Sequence, residues 1–390
     1  MESKISLKDI YQQNLNFLIG AGASSGLFPT LWLDIKDSDN PDQNETIETL
    51  VTKLDQQGLN HHHALLFMHY YQNIIEPVIQ FSLDDIDEGI ACGNCNKCNE
   101  CNKRVTIDNY EKFLESVILL LIQKDSFSRR CNLFTTNYDG CVPLVADKIL
   151  ESGKYDFVIN DGSRGFLKRT VTAKNFNSYV CQTGIFGRNS TDIPQIGLVN
   201  LHGSAYWRKS GDNILIDYNN NDAQQIIPDS AKAPLEQLDA VLTDKTKTTA
   251  DVIALEVEFN EEDLKSFWDA YNELPIVNPT KWKFHETVFE EHYYQMLRML
   301  SYELEKPNSV LITFAFSFAD EHILNLVKRS LSNPRLSVHV CCFNEAEKDV
   351  MQGRFNGFRN VQLIHLDGEN LDFSKFNSDV FNADTLRDSE

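Results

Sequence analysis

The sequence predicts an α/β protein organised around a doubly wound, mainly parallel, Rossmann-like sheet with a helical insertion and a loop-rich insertion. Three observations carry that reading. Seven short runs rich in Val, Ile, Leu and Phe are continuous rather than alternating, as strands buried on both faces are. Segments of helical periodicity lie between several of them. Small and polar residues collect where the runs end, and in an open α/β sheet the ligand crevice lies outside the carboxyl ends of the strands.

In chain order the runs are Leu15 to Ile19, Asn132 to Thr136, Asp156 to Ile159, Ile196 to Leu201, Val310 to Phe316, Val338 to Phe343 and Val361 to Leu366. Helical spacing is read over Tyr110 to Ile122, Glu286 to Leu304 and Glu321 to Leu331. Two stretches interrupt the alternation. Residues 37–130 read as a mainly helical insertion, apolar at helical spacing in Leu65 to Phe81 and Phe113 to Leu121, with a Cys-rich loop at 92–101. Residues 205–285 read as an irregular insertion of surface loops or a small β-containing piece, with turn signals at Ser210-Gly211-Asp212 and Asn219 to Asn221. The sheet domain is then expected from 1–36, 131–204 and 286–380, followed by a frayed polar tail at 381–390.

Composition narrows the function classes. Hydrophobic residues make up 42% and charged residues 24% of the 390, an ordinary globular mix. The net charge of -21 repels a phosphate backbone, so direct nucleic-acid binding by the bulk of the surface is not expected. No stretch has the roughly 18 apolar residues of a membrane span, and the N-terminus lacks a signal-peptide pattern, so the expected compartment is the cytoplasm. Four of nine cysteines crowd into ten residues, which suits reduced thiols and one metal site better than a disulfide scaffold.

Four motifs sit at run ends. The first, Gly20-Ala21-Gly22-Ala23-Ser24, follows an apolar run; two glycines let backbone approach a pyrophosphate, and a helix from near Ala23 would aim its amides at the same charge. The alternative is a plain strand-to-helix connection. It is not the dinucleotide fingerprint, because Ser25 stands where the third glycine is due and Gly26 comes one position late. The second motif, Thr136-Asn137-Tyr138-Asp139, offers an amide that can hold a ribose hydroxyl or orient a water, or else caps the next helix; Asp139 is assigned mainly to capping. In the third, His202 is followed by Gly203 and reads either as a structural group or as a base, since imidazole titrates in the useful range. In the fourth, Ser317 and the residues after it supply donors for a phosphate or ribose, with Asp320 and Glu321 favouring a helix dipole, or the segment is simply a capped helix.

Together these segments resemble the sirtuin family. GAGAS is similar to that family's loop over the NAD pyrophosphate, TTNYD to its Thr-Gln-Asn-Ile-Asp segment, and LHGS to the segment with its catalytic histidine. FAFSFADEHI and CCFN resemble the later strands that complete the ribose and adenine sites, with Ala315 where related chains often have Gly. The resemblance implies NAD as substrate, Asn137 and His202 as catalytic residues, and Gly20, Ala21, Gly22, Ser24, Thr136, Asp139, Ser317 and Asn344 as residues around the cofactor. It covers the sheet and does not reach 37–130 or 205–280.

Two departures shift the implied reaction. The first loop continues GLFPTLWLD where deacetylases have a Gly-Ile-Pro-Asp-Phe-Arg type segment, and no paired Cys-x-x-Cys knuckles follow His202. The pattern is closer to bacterial sirtuin-like proteins of anti-phage defence that hydrolyse NAD, among them chains that assemble with a HerA-type ATPase. An NAD glycohydrolase is therefore the expected function. The alternatives are sirtuin-type deacylation or ADP-ribosyl transfer, and an NAD- or ADP-ribose-sensing subunit without turnover. The acidic surface and the helical insertion are where homo-oligomer formation or the ATPase partner is expected.

The loop ACGNCNKCNECNK is a separate matter. Cys92, Cys95, Cys98 and Cys101 at Cys-x-x-Cys spacing suit structural zinc, with His61, His62, His63 or His69 as supplementary ligands, and a metal-free loop or a redox cluster are the other readings.

Overall fold

The computed structural model describes residues 5–86, 99–125, 128–183, 190–219, 225–279 and 287–383, with only the backbone at 85, 99–101 and 287–290. The chain divides into two compact units. One is drawn from Met1–Leu27, Ile86–His202 and Glu291–Glu390, the other from Phe28–Asp85 and Gly203–Glu290.

All seven expected strands form in the first unit, and they form one sheet. They are β1 (Asn14–Ile19), β2 (Arg130–Thr135), β3 (Val158–Asn160), β4 (Gln195–Asn200), β5 (Ser309–Phe314), β6 (Leu336–Cys341) and β7 (Val361–Ile364). Their spatial order is β7-β6-β5-β1-β2-β4-β3, and every pairing is parallel. The chain leaves β1 toward β2 on one side, then returns to place β5 on the other. The point where the order reverses is thus the β1–β5 boundary, where an open sheet leaves its crevice.

Continuous apolar runs become two-sided burial. On one face Leu18, Phe134, Val199 and Leu311 meet Leu300, Ile323, Val327 and Met351 from helices α3 (Thr287–Glu305), α4 (Glu321–Ser330) and α5 (Glu345–Arg354). On the other face Phe17 of β1 lies edge-on to Phe113 of helix α1 (Asn99–Ile122) and to Phe381, each at 5.3 Å between ring centroids. Helix α2 (Cys141–Glu151) lies against α1. Burying such aliphatic and aromatic side chains stabilises by roughly 1.5–3 kcal/mol each, so both helix layers are part of one core.

Three expectations change here. Helix α1 belongs with the sheet unit rather than with an insertion, because Phe113 covers β1. The frayed tail does not begin at 381, since Phe381 is fully buried and Ala383 nearly so; residues 384–390 lie outside the described part. No α-helix starts near Ala23. The chain makes one 3₁₀ turn at Ala21–Ser24, and Leu27 N–H closes a further turn on the Ser24 carbonyl before Phe28-Pro29, where proline disfavours helical backbone in the preceding residue.

The second unit is more ordered than the sequence suggested. Helices Ile47–Gln56 and Asn60–Tyr70 are joined by a π turn at Tyr71–Ile75 to Glu76–Gln80. In the stretch expected to be irregular, an antiparallel hairpin pairs Trp207–Ser210 with Asn213–Ile216, and helices cover Lys232–Leu242, Thr249–Ile253 and Glu261–Tyr271. Capping identifies two of these starts: Thr248 and Asp251 form a capping box, and the Asn260 side chain accepts from Asp263 N–H.

At the β1–β5 boundary, glycine is a steric requirement. A Cβ on Gly20 would lie 2.4 Å from the Ala315 carbonyl oxygen and 2.9 Å from the Phe316 Cα. Ala315 itself holds φ 54° and Phe318 φ 54°, left-handed conformations that cost a non-glycine residue about 1–2 kcal/mol. Gly20→Ala is therefore expected to lower unfolding free energy by at least ~2 kcal/mol, whereas Ala315→Gly should leave it unchanged or raise it by up to ~1 kcal/mol. Urea titration of both variants checks this pair.

Candidate functional site

The four central strands of the sheet end in line. Ile19 of β1 is paired with Phe314 of β5 and with Thr135 of β2, and Thr135 with Asn200 of β4. Hydrogen bonds carry the alignment past the last pairs: Gly20 N–H donates to the Phe314 carbonyl (3.2 Å), Thr136 N–H to Ile19 (3.3 Å) and Leu201 N–H to Thr135 (2.7 Å). Asn137 and His202 each stand two residues beyond this row on adjacent strands, and Gly20, Ala21 and Gly22 follow it on the next strand. The predicted residues of the first three motifs are thereby brought to one edge of the sheet.

Below that edge lies a buried network centred on Ser24, which is 3% exposed. Its hydroxyl donates to Asp139 Oδ2 (2.7 Å), because a carboxylate only accepts. It must then accept from the Tyr110 hydroxyl (2.7 Å) and from Asn137 Nδ2 (3.3 Å). This assignment orients the Asn137 amide. With Nδ2 turned to Ser24, Oδ1 is buried and has no hydrogen-bond partner among the described residues. Asn137 also lines a cavity of about 10 Å³ with Tyr110, Thr135, Asn200 and the apolar side chains of Ile19, Leu133, Val142 and Leu198. Burial, and next the charge of Asp139, pushes the Tyr110 hydroxyl well above its ordinary range, so it remains a donor. Burial does the same to the Cys141 thiol beside Asp139, which removes it as a thiolate nucleophile.

His202 is paired with Asp320, its Nε2 3.0 Å from Oδ2, with the two side chains 12% and 6% exposed. In a neutral imidazole, donation from Nε2 to the carboxylate would put the ring's lone pair on Nδ1. Tyr293 of α3 lies beside the imidazole, ring centroids 6.3 Å apart, and its hydroxyl is raised chiefly by burial and next by Asp320. After the histidine, Gly203 adopts φ 81° with the Pro275 carbonyl 2.0 Å from where a Cβ would be. That glycine permits a left-handed turn against a neighbouring chain segment, a different reason from the open crevice expected of it.

Two aspartates do double duty. Asp139 Oδ1 accepts from Cys141 N–H (3.1 Å) at the start of α2 while its Oδ2 holds Ser24. Asp320 Oδ1 accepts from His322 and Ile323 N–H (2.9 and 3.1 Å) at the start of α4 while its Oδ2 holds His202. Sequence assigns Asp139 mainly to capping and Asp320 to the helix dipole; in the structure Gly140 is the cap residue of α2, Asp320 is itself the cap of α4, and neither site contact is legible in the sequence. Tyr110 was likewise read only as the first residue of a helical stretch. A carboxylate one turn from a strand end, opposite a histidine from another strand, is the signal for the dyad, but it needs the strand order to be seen.

The remaining predicted positions are placed as follows. Thr136 is half-buried, and Ala21 and Gly22 are exposed. Ser317 is exposed, with its hydroxyl accepting from Ala319 N–H (3.3 Å) and its carbonyl from the Arg354 guanidinium. Asn344 caps α5, accepting from Glu347 N–H (3.0 Å). Cys92, Cys95 and Cys98 lie outside the described residues, and of Cys101 only the backbone, in α1, is described. The histidines named as supplementary ligands all make contacts within the second unit. His61 accepts from Phe259 N–H, His62 bonds the Leu255 carbonyl, His63 lies against Phe67 and Trp268, and His69 pairs with Asp239 at 2.5 Å. Among the described residues, Glu345, His365 and Asp367 bring three ligand atoms within 4.8 Å of one another, but the Lys348 ammonium already sits 3.1 Å from His365 Nε2.

No protein-family model matches the sequence, and no curated protein matches it.

The Ser24 network makes a quantitative prediction. Ser24→Ala strands the Tyr110 hydroxyl, the Asn137 amide and one Asp139 oxygen in a buried place, at an expected cost of about 2–4 kcal/mol, while Tyr110→Phe removes one donor and costs about 1 kcal/mol. Chemical unfolding should rank them in that order; a neutral Ser24→Ala would mean that the hub is not formed.

Proposed function

We propose that this chain is an NAD glycohydrolase of sirtuin-like type, cleaving NAD to nicotinamide and ADP-ribose. The observation that carries the reading is the His202–Asp320 pair standing at the same strand-end row as Asn137, whose buried side-chain carbonyl oxygen has a hydrogen-bond acceptor site to spare among the described residues. A base oriented by a carboxylate and a fixed acceptor are what addition of water requires.

In NAD the nicotinamide nitrogen is cationic, so the glycosidic bond breaks with its electron pair leaving on neutral nicotinamide, and no acid is needed. Water attacks the resulting oxocarbenium-like ribose carbon. Asn137 Oδ1 accepts one hydrogen of that water and fixes its position. Neutral His202 takes the proton released as the new C–O bond forms, and Asp320 steadies the imidazolium. Gly20, Ala21 and Gly22 present backbone to the pyrophosphate. Ser24 serves differently from the expectation, as the hub that sets the Asn137 amide rather than as a phosphate ligand. The missing arginine of the first loop and the missing knuckles after His202 support water as the acceptor. Within this reading the setting is anti-phage defence in the cytoplasm, with a homo-oligomer and a HerA-type ATPase as partners.

The test is incubation of the purified chain, alone and with its genomic neighbour, with NAD, following nicotinamide and ADP-ribose. His202→Ala and Asn137→Ala are expected to slow release by about a hundredfold or more. Asp320→Asn keeps a good helix cap but loses the carboxylate charge, so it should lower kcat with little change in KM. Unchanged turnover in both alanine variants contradicts the mechanism. NAD loss only when an acylated peptide or protein acceptor is added points to group transfer instead, and tight NAD binding without nicotinamide release points to a sensor.

A further inference from the structure

Outside the strand-end site, two features of opposite character stand out, one in each unit. The first is a hairpin in the sheet unit, in which Ser163 and Arg164 pair with Val171 and Thr170. Its tip carries Phe166 and Leu167, 102% and 100% exposed. The flanking residues are basic: Arg164, Lys168 and Arg169. Lys168 is exposed and makes no ion pair among the described residues. A fully exposed Phe-Leu pair is costly to leave in water, and in a chain of net charge -21 it is flanked by the cations Arg164 and Lys168, Arg169 being paired with Asp161.

The hairpin is built to hold that tip firmly. Asp161 Oδ1 accepts from the Ser163 N–H and hydroxyl (3.0 and 2.7 Å), and its Oδ2 from the Arg169 guanidinium (2.7 Å). The Gly162 carbonyl accepts from Thr172 N–H and from Asn175 Nδ2, both 2.9 Å. Gly165 turns the chain at φ 126°, with the Lys168 carbonyl 2.0 Å from where a Cβ would be. An apolar side-chain pair on a rigid support loses little freedom on docking, which is what a recognition element needs.

The second feature is a cavity of about 480 Å³ in the helical unit, within the size range of ligand sites. Ile226, Ile227, Leu235 and Tyr71 give it an apolar wall, and Glu76 and Glu236 give it acid, Asp239 being paired with His69. Its one lysine, Lys232, is turned to Asp229 at 2.7 Å. The wall includes the π turn at Tyr71–Ile75, a helix irregularity found more often than chance at functional sites.

We propose that these two features are the halves of one interface, with the Phe166–Leu167 tip of one copy seated in the acidic cavity of a second copy. The apolar pair meets Ile226, Ile227 and Leu235, and Lys168 meets Glu236. Charge complementarity selects this occupant: the tip carries Arg164 and Lys168 beside its apolar pair, and the cavity carries Glu76 and Glu236 beside its apolar wall. Because knob and pocket are different surfaces, the contact is head-to-tail and builds a ring or a chain of copies rather than an isologous dimer.

The test is the oligomer mass of the full chain by sedimentation velocity and light scattering across the micromolar range. Phe166→Ser with Leu167→Ser alters only exposed side chains, so circular dichroism and Tm should match the wild type. This variant, and separately Glu236→Lys, are each expected to raise the dissociation constant at least about tenfold. Lys168→Glu combined with Glu236→Lys should restore assembly that either charge change alone weakens. A wild-type chain that stays monomeric overturns the proposal, as does an oligomer indifferent to the tip, or one sensitive to the tip and not to Glu236. Tip-dependent binding to anionic phosphatidylserine vesicles without self-association would assign the knob to a membrane surface and overturn it equally.

Discussion

The close approach of the β1 loop to the β5 loop is the constraint on which the candidate site depends. Gly20 lies against the backbone of Ala315 and Phe316 with no room for a methyl group. That contact closes the sheet at the position where strand order reverses, and it brings the loop into the 3₁₀ turn that buries Ser24. Ala315 and Phe318 hold left-handed backbone on the other side of the contact. Strain of this kind persists when the surroundings over-determine it, and here the Phe316, Phe318 and Phe355 rings supply the surroundings. The glycines of the first motif thus have a packing reason that stands whether or not a phosphate is bound.

From that contact the site follows through two carboxylates. Asp139 and Asp320 each spend one oxygen on the first turn of a helix and the other on a site residue. Helix α2 and the Ser24–Asn137 pair therefore share one anchor, and helix α4 and His202 share another. Such sharing makes the side chains as rigid as the helix starts that hold them. It also means that removing either carboxylate disturbs stability and site geometry together, so amide substitution, which keeps the cap, is the cleaner probe.

Much of the fold was legible because it rests on local pattern. The run Val310 to Phe316 is apolar at every position but Thr313, and its shortness and β-branched content favour a strand covered on both faces. The site was legible one strand at a time: Asn137 and His202 were found at run ends, but their partners Tyr110 and Asp320 come from elsewhere in the chain. Position along a sequence cannot reveal a bond across 118 residues such as His202 to Asp320. The aromatic residues Phe373, Phe376 and Phe381 were missed for a related reason. Their run is too short and too polar to show periodicity, yet it covers the sheet face at Phe17 and Phe314. The helices at Lys232–Leu242 and Glu261–Tyr271 were missed although the second has a clear cap at Asn260, because a polar, strongly amphipathic surface obscured it. The requirement for glycine after His202 is not legible in the sequence, because it rests on a positive φ and on the nearby Pro275 carbonyl.

We propose the row of strand ends from Phe314 to Asn200 as the dinucleotide site. Hydrogen–deuterium exchange of the intact protein, with and without saturating NAD or ADP-ribose, tests it most directly. The account predicts slower exchange in the segments 20–27, 136–141 and 315–322, with the outer strands of the sheet little changed. Protection confined to other segments, or none at saturating ligand, would contradict it.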